Sequence, residues 1–352
     1  MTTTMRIERQ ALCGFVARLF GAVGLPEEEA GYVAETLVEA DEQGIASHGV
    51  MLVPMYLDRI RNGSISLETH GTVMVDHGAV GVIDAGNVLG QLTARQAVAL
   101  TYKKARAHGL GLVTVRNGFH FGTAGRFALD LAALGTIGIV MCNTRPLLPA
   151  PGGSEAMVGN NPLAIAMPSD DNGPPVLLDM ATSASAMGKI RMAMAAGEAI
   201  PEGWATDAKG RPTTDPAEAV AGMLLPTGGP KGFGLAFMID LLCGALSGGG
   251  LGAAVRPLYG DASEPYNCAH LFLAINVEHF RELAAFTEVV SGARDRVRGS
   301  RPAPGFKKVM SPGEPAWAAK QAGGGLCPVE PSVWQELAAL ADTLDIKDAI
   351  PA

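Results

Sequence analysis

An α/β fold with a helical N-terminal region is what the sequence predicts, on three observations. The chain has 352 residues, 48% of them hydrophobic, enough to bury a large core without disulfide or metal staples. From about residue 110 onward, short β-branched apolar runs alternate with helical patterns, as layered α/β proteins require. Glycine is in excess at 45 residues, about 13% against a usual ~7%, so backbone must often approach backbone or a ligand.

Residues 6–23 and 26–43 read as helices. The second opens with Pro26 and then Glu27, Glu28 and Glu29; a proline start and acidic first turn suit the free N–H groups and the dipole there. A break at 44–49 precedes a third helix over 50–61, stopped by Asn62 and Gly63. Strand-like runs at 72–76 and 81–84 lead into a long helix over 88–107 that ends at His108 and Gly109. Residues 110–115 are a buried strand, 117–125 a glycine-rich loop, 126–134 a helix and 137–142 another strand. A loop rich in Pro, Gly and Asn follows over 143–162, then strands at 163–167 and 176–178 and a small-residue helix over 183–196. The polar stretch 197–216 is a connection, 233–246 a long buried helix and 271–276 a last strand; helices near 280–297 and 332–344 close the chain.

Composition excludes several functions. The formal net charge is −8 with no block of lysine or arginine, so neither a nucleic acid nor a membrane surface is an expected partner. Cys13, Cys142, Cys243, Cys268 and Cys327 are scattered and odd in number, which indicates neither a disulfide frame nor a zinc ribbon. The seven histidines include no H-E-x-x-H, and no metal is expected. The N-terminus carries charges through its apolar residues and does not read as a signal peptide. Residues 233–250 approach membrane-spanning length, but Asp240 interrupts them. The expectation is a cytoplasmic protein.

Four segments could carry chemistry. Ser47-His48-Gly49 lies between two helices: His48 could exchange protons near neutral pH, or Ser47 could simply cap the next helix. The loop 118–125 follows a strand and opens a helix, as a dinucleotide loop does. Its spacing is G-x-x-x-G-x-x-G, so the usual Rossmann fingerprint is absent; His120 within it is either catalytic or a loop support. Asp179 ends a strand, where it could accept hydrogen bonds from an imidazole or a ribose, or cap a helix. Lys231, framed by glycines at a helix start, is a phosphate site or a solvated loop lysine. No G-x-S-x-G elbow supports a hydrolase.

In this order, these segments resemble the malate/L-lactate dehydrogenase family, which lacks the usual Rossmann fold. Ureidoglycolate and sulfolactate dehydrogenases, diketogulonate reductases and reductases of piperideine and pyrroline carboxylates belong to the same family. The matching stretches are 41–50 (DEQGIASHGV), 117–125 (NGFHFGTAG), 159–168 (GNNPLAIAMP), 178–190 (LDMATSASAMGKI), 200–216, 226–242 (PTGGPKGFGLAFMIDLL) and 312–314. The resemblance implies a non-Rossmann NAD(P)-binding fold, a mixed sheet flanked by helices. It implies an N-terminal helical region over 1–75 that contributes Ser-His-Gly, a cofactor-binding core over 76–300 and a C-terminal segment over 301–352 packed back on the N-terminus. A homodimeric oxidoreductase is implied, using NAD or NADP on a small 2-hydroxy or 2-oxo acid. His48 matches the proton donor and acceptor, Ser47 the residue that orients it, and His120 an active-site histidine with the acid/base role in some members. Thr144, Asp179, Met180, Ala181, Lys231, Gly313 and Glu314 match positions that contact the dinucleotide, with Lys231 at phosphate.

Three positions depart from the pattern. The family arginine four residues after the first histidine is Leu52, which leaves Arg59, Arg145 and Arg191 as possible carboxylate partners. Gly118 replaces a serine, and G-T-N-P reads Gly159-Asn160-Asn161-Pro162. The alternatives are a reductase of cyclic imine carboxylates, a ureidoglycolate-type enzyme and, from another class, a cofactor-binding homologue without catalysis.

Overall fold

The computed structural model describes residues 4–347; the outermost residues of the two terminal regions lie outside that span. The chain begins with strand β1 (Met5–Glu8), then α1 (Arg9–Ala22) and α2 (Glu27–Glu42). Two 3-10 turns, Ala46–His48 and Val50–Leu52, lead into α3 (Val53–Arg61). Next come β2 (Thr72–His77), β3 (Val80–Asp84), α4 (Gly90–His108), β4 (Leu110–Gly118), α5 (Ala124–Ala133) and β5 (Thr136–Cys142). Two short strands, β6 (Leu148–Pro149) and β7 (Ala156–Val158), precede β8 (Leu163–Met167), β9 (Val176–Met180) and α6 (Met187–Ala196). A small three-stranded sheet with one helix follows: β10 (Ala205–Thr206), β11 (Pro212–Thr213), α7 (Pro216–Ala221) and β12 (Met223–Leu224). The remainder is α8 (Pro230–Asp240), β13 (Cys268–Asn276), α9 (Leu283–Arg298), α10 (Glu314–Gly323), β14 (Leu326–Val329) and α11 (Pro331–Thr343).

The centre is a seven-stranded mixed sheet in the order β2-β3-β4-β13-β5-β8-β9. Only β3 and β4 run parallel; every other neighbouring pair is antiparallel. All seven strands are those expected from the β-branched runs. Alternation along β5, with Thr136, Gly138, Val140 and Cys142 buried, packs one face against α5. A second core forms where α1, α2, α3 and α11 meet Phe119, Tyr266 and Cys268, so the N-terminal helices lie against the loops that leave β4 and enter β13.

Several expected boundaries moved. The helix expected over 6–23 starts at Arg9, because residues 5–8 pair antiparallel with β14 and the Glu8 side chain accepts from Ala11 N at 2.8 Å. The helix expected over 183–196 starts at Met187: Ala184 N donates to Leu225 O and Thr227 N to Thr182 O, so extended pairing uses the backbone of 182–184. The helix expected over 233–246 begins earlier, at Pro230 in the first turn, and passes into a π-helical turn at Leu241–Ala245. The strand expected last, over 271–276, is β13, which reaches back to Cys268; it is not the last, because Leu326–Val329 pairs with β1 as β14.

Candidate active site

His48 sits in a tight turn built by a buried acid. Asp41 on α2 is 3% exposed, and its Oδ2 accepts from Val50 N at 2.8 Å. A Cβ on Gly49 would lie 2.0 Å from Asp41 Oδ1, so only glycine lets the turn close over the carboxylate. Burial pushes the Asp41 carboxyl up to about 7, against the opposing Val50 hydrogen bond. Held this way, Ser47 Oγ lies 3.0 Å from His48 Nδ1 and caps no helix, which removes the capping alternative. His48 Nε2 has no hydrogen-bond partner among the described residues. Burial lowers its basicity.

His120 comes from the loop after β4 and faces His48, with ring centroids 5.4 Å apart. Its Nδ1 lies 2.6 Å from the Tyr56 hydroxyl. Burial, then His48, then His270 hold its imidazole well below the ordinary histidine value, so it is neutral at pH 7. The loop can pass here because residue 90 is glycine: a Cβ there would lie 2.2 Å from Phe119 O.

These two imidazoles line a cavity of about 260 Å³ with Thr144, Asn160, Asp179, Met180, Ala181 and Tyr266 among its walls. Thr144 is fixed from both sides: its N–H donates to Asn161 Oδ1 at 2.9 Å and its hydroxyl to Asn160 Oδ1 at 3.0 Å. Asn161 is fully buried and donates to Ala236 O at 2.8 Å. The asparagine that replaces threonine in G-T-N-P therefore has a local partner in Thr144.

Asp179 and Ile45 also border a second cavity of about 480 Å³, lined further by Gly125, Arg126, Leu177 and Gly313. The two cavities meet at the walls that Ile45 and Asp179 contribute to both. The Asp179 Oδ2 accepts from Gly125 N at 3.0 Å in the first turn of α5, while Oδ1 has no partner among the described residues. Asp179 lies within β9, so it does not cap the helix that follows; it reaches instead to the start of another one. Desolvation by the cleft walls pushes its carboxyl up to about 6, with the Gly125 bond opposing.

Of the sequence-predicted residues, His48, His120, Thr144, Asp179, Met180 and Ala181 meet in the smaller cavity, and Gly313 lines the larger. Lys231 is exposed on the first turn of α8 and lines neither. Glu314 is 3% exposed: its Oε2 accepts from Arg298 Nε at 3.0 Å and Ser311 N at 3.1 Å, which braces the turn before Gly313. Among the three arginines, Arg59 is 1% exposed and donates to Leu258 O, Ser64 Oγ, Glu264 O and Pro257 O, leaving it committed to the loop before β13. Arg191 lies on α6, where its charge acts on Tyr259 outside the cavity. Arg145 is exposed beside Thr144, and its charge acts on the cavity-wall phenol Tyr266. Leu52 is buried in the N-terminal core.

Sequence reasoning missed Asp41, Tyr56 and Gln91 as parts of this site. Asp41 lies in the stretch 41–50, but its role depends on a turn nine residues away; Tyr56 and Gln91 carry no local signal. Among the described residues no group of three His, Cys, Asp or Glu is placed to hold a metal, and no helix is long and apolar enough to cross a membrane.

A family model described as malate/L-lactate dehydrogenase matches residues 7–338. The malate dehydrogenase of Pyrococcus abyssi is 38% identical, over 97% of this chain and 96% of its own length. The solved sulfolactate dehydrogenase of Methanocaldococcus jannaschii superposes with a TM-score of 0.92 at 35% identity, over 99% of this chain and 100% of that one. The delta1-piperideine-2-carboxylate reductase of Pseudomonas syringae superposes with a TM-score of 0.82 at 26% identity, over 96% and 100%.

Proposed function

The chain belongs to the malate/L-lactate dehydrogenase family, and from that premise we propose that this oxidoreductase moves hydride between NAD or NADP and a small 2-hydroxy or 2-oxo acid at His48 and His120. The observation that supports this most is the pairing of two imidazoles, each with one ring nitrogen tied down and the other free, in a cavity that shares Ile45 and Asp179 with a glycine-walled cleft. The residues of that cleft fit a dinucleotide. Asp179 keeps one carboxylate oxygen for a ribose hydroxyl, and a Cβ at residue 125 would come within 2.5 Å of its other oxygen. A Cβ at residue 313, whose φ is +90°, would meet Pro175 O at 2.7 Å. Met180 and Ala181 continue the wall beside Thr144, and Glu314 acts through the turn it braces. Lys231, in the first turn of α8, lines neither cavity, and a phosphate role for it rests on the family resemblance alone.

When bound, the nicotinamide supplies the hydride for reduction or accepts it in oxidation. His48 moves the proton at the substrate oxygen through Nε2, with Ser47 holding Nδ1. His120, neutral and more deeply enclosed, donates a hydrogen bond to that oxygen. Two neighbouring imidazoles do not both hold a charge, so one proton shared with solvent through the less suppressed His48 is the economical arrangement.

Purified protein should quench or shift NADH or NADPH fluorescence and turn over at least one acid in a panel of 2-oxo acids, 2-hydroxy acids and cyclic imine carboxylates. Affinity for the cofactor should fall as pH drops through about 6, because Asp179 takes up a proton there and loses its acceptor charge. The same titration on Asp179→Asn should be flat. No binding of either cofactor to folded protein would overturn the reading. Binding without turnover would favour the catalytically silent homologue, and turnover of imines alone the cyclic imine reductase.

A cytoplasmic homodimer is part of the same reading. All five cysteines are free thiols, which suits a reducing compartment. Leu235, Phe237, Met238, Leu242 and Leu246 are exposed along α8 and its π-helical continuation, an apolar surface that a second copy would cover. The double variant Phe237→Glu, Met238→Lys should elute as a monomer where the parent elutes as a dimer, measured by light scattering on a sizing column.

A further inference from the structure

We propose that Tyr56 and Gln91 are positioning residues that hold His120 in the tautomer with its proton on Nε2, so that it always presents a donor to the substrate oxygen. The inference rests on the assignment of this cavity to 2-hydroxy acid chemistry, and the fully buried chain Gln91–Tyr56–His120 is what supports it. Tyr56 and Gln91 are both 0% exposed. Gln91 Nε2 donates to the Tyr56 hydroxyl oxygen at 3.2 Å, and that hydroxyl lies 2.6 Å from His120 Nδ1.

The phenol has one proton to give and two places to give it, His120 Nδ1 at 2.6 Å or His120 O at 3.4 Å. The shorter contact takes it, since an acceptor at 3.4 Å is at the limit of hydrogen bonding. Nδ1 is then an acceptor, and the ring proton must sit on Nε2. The amide of Gln91 reinforces that direction. As oriented, its Nε2 donates to the phenol oxygen while Oε1 is left unpartnered, so that oxygen accepts from the amide and keeps its own proton for His120. Burial holds the imidazole neutral, so tautomer rather than charge decides what it offers. Packing keeps the phenol in place: the Tyr56 ring meets Phe119 edge-on at 5.1 Å and Phe20 at 6.4 Å. Gly90 lets the Phe119–His120 backbone settle on the first turn of α4, beside the residue that supplies the amide.

The test is long-range proton–nitrogen correlation on full-length protein labelled with 15N-histidine, with the His120 signals assigned by their loss in His120→Gln. The parent should show His120 neutral at pH 7 with the proton on Nε2. Tyr56→Phe, which removes one oxygen from a packed ring, should show a mixture or the Nδ1–H form. Its kcat should fall about tenfold or more, with substrate KM and cofactor Kd within about twofold. Gln91→Met should give a smaller fall in the same direction. A parent His120 that is charged, or protonated on Nδ1, would overturn the proposal, as would unchanged kcat in folded Tyr56→Phe. Should Tyr56→Phe not fold, the parent spectrum and Gln91→Met decide the matter by the same criteria. A parent that turns over no panel substrate rejects the functional assignment instead, and the ring-nitrogen signals still report the tautomer.

Discussion

His48→Asn is expected to reduce turnover about 10²–10⁴-fold while cofactor affinity stays within about twofold, measured by steady-state rates and fluorescence titration. Asparagine keeps a polar group of similar reach but cannot cycle a proton. The fold should tolerate it, because Asp41 holds the turn through Val50 N and Gly49, neither of which the substitution touches. The parent's pH dependence should carry the same signature. Burial lowers the His48 pKa below the usual 6.5, so reduction, which needs the protonated ring, should slow as pH rises through that lowered value. Oxidation needs the neutral ring and should quicken over the same interval. Unchanged turnover in His48→Asn would move the acid/base role to His120, whose depressed basicity and fixed Nδ1 make it the poorer proton exchanger.

Arg145→Ala is expected to raise KM for the carboxylate substrate by about 10–100-fold, the loss of a charged hydrogen bond of about 1.5–3 kcal/mol, with kcat changed far less. The reasoning is by commitment of charge. Leu52, where the family resemblance leads one to expect an arginine, is buried in the N-terminal core. Arg59 already donates four hydrogen bonds to the 257–264 loop and to Ser64. Arg191 acts on Tyr259, away from the cavity. Arg145 follows Thr144 on the cavity wall and makes no ion pair among the described residues. Arg145→Lys should recover part of the loss, since a point charge replaces only part of a bidentate fork. A KM equal to the parent's would mean that the carboxylate is bound without Arg145.

The residues near the site show how much was legible beforehand. All seven strands of the central sheet were readable from their apolar, β-branched runs; β5 alternates buried and half-buried residues as its period requires, whereas β2 is exposed throughout and was legible from residue type alone. Helix ends were less so. Whether residues 182–184 are helical depends on Leu225 and Thr227, more than forty residues on, offering extended partners. The histidines were visible as chemistry-bearing types in glycine-rich turns, yet which ring nitrogen of each is engaged depends on Ser47 and Tyr56, and the Tyr56 contact has no local signal.

The sequence by itself determined the layered α/β character, the missing Rossmann spacing and the family resemblance, since these lie in composition, short-range periodicity and contiguous motifs. The tertiary structure decided what the side chains of each motif touch. It turned Asp179 from a possible cap of the next helix into an acceptor at the start of α5, and it committed Arg59 to a loop. It also joined Gln91, Tyr56 and His120 into one buried chain. A hydrogen bond is specific over about 3 Å and indifferent to separation along the chain. Partners 35 and 64 residues apart therefore leave no mark in local sequence, and only the packing of α3, α4 and the loop after β4 brings them within reach.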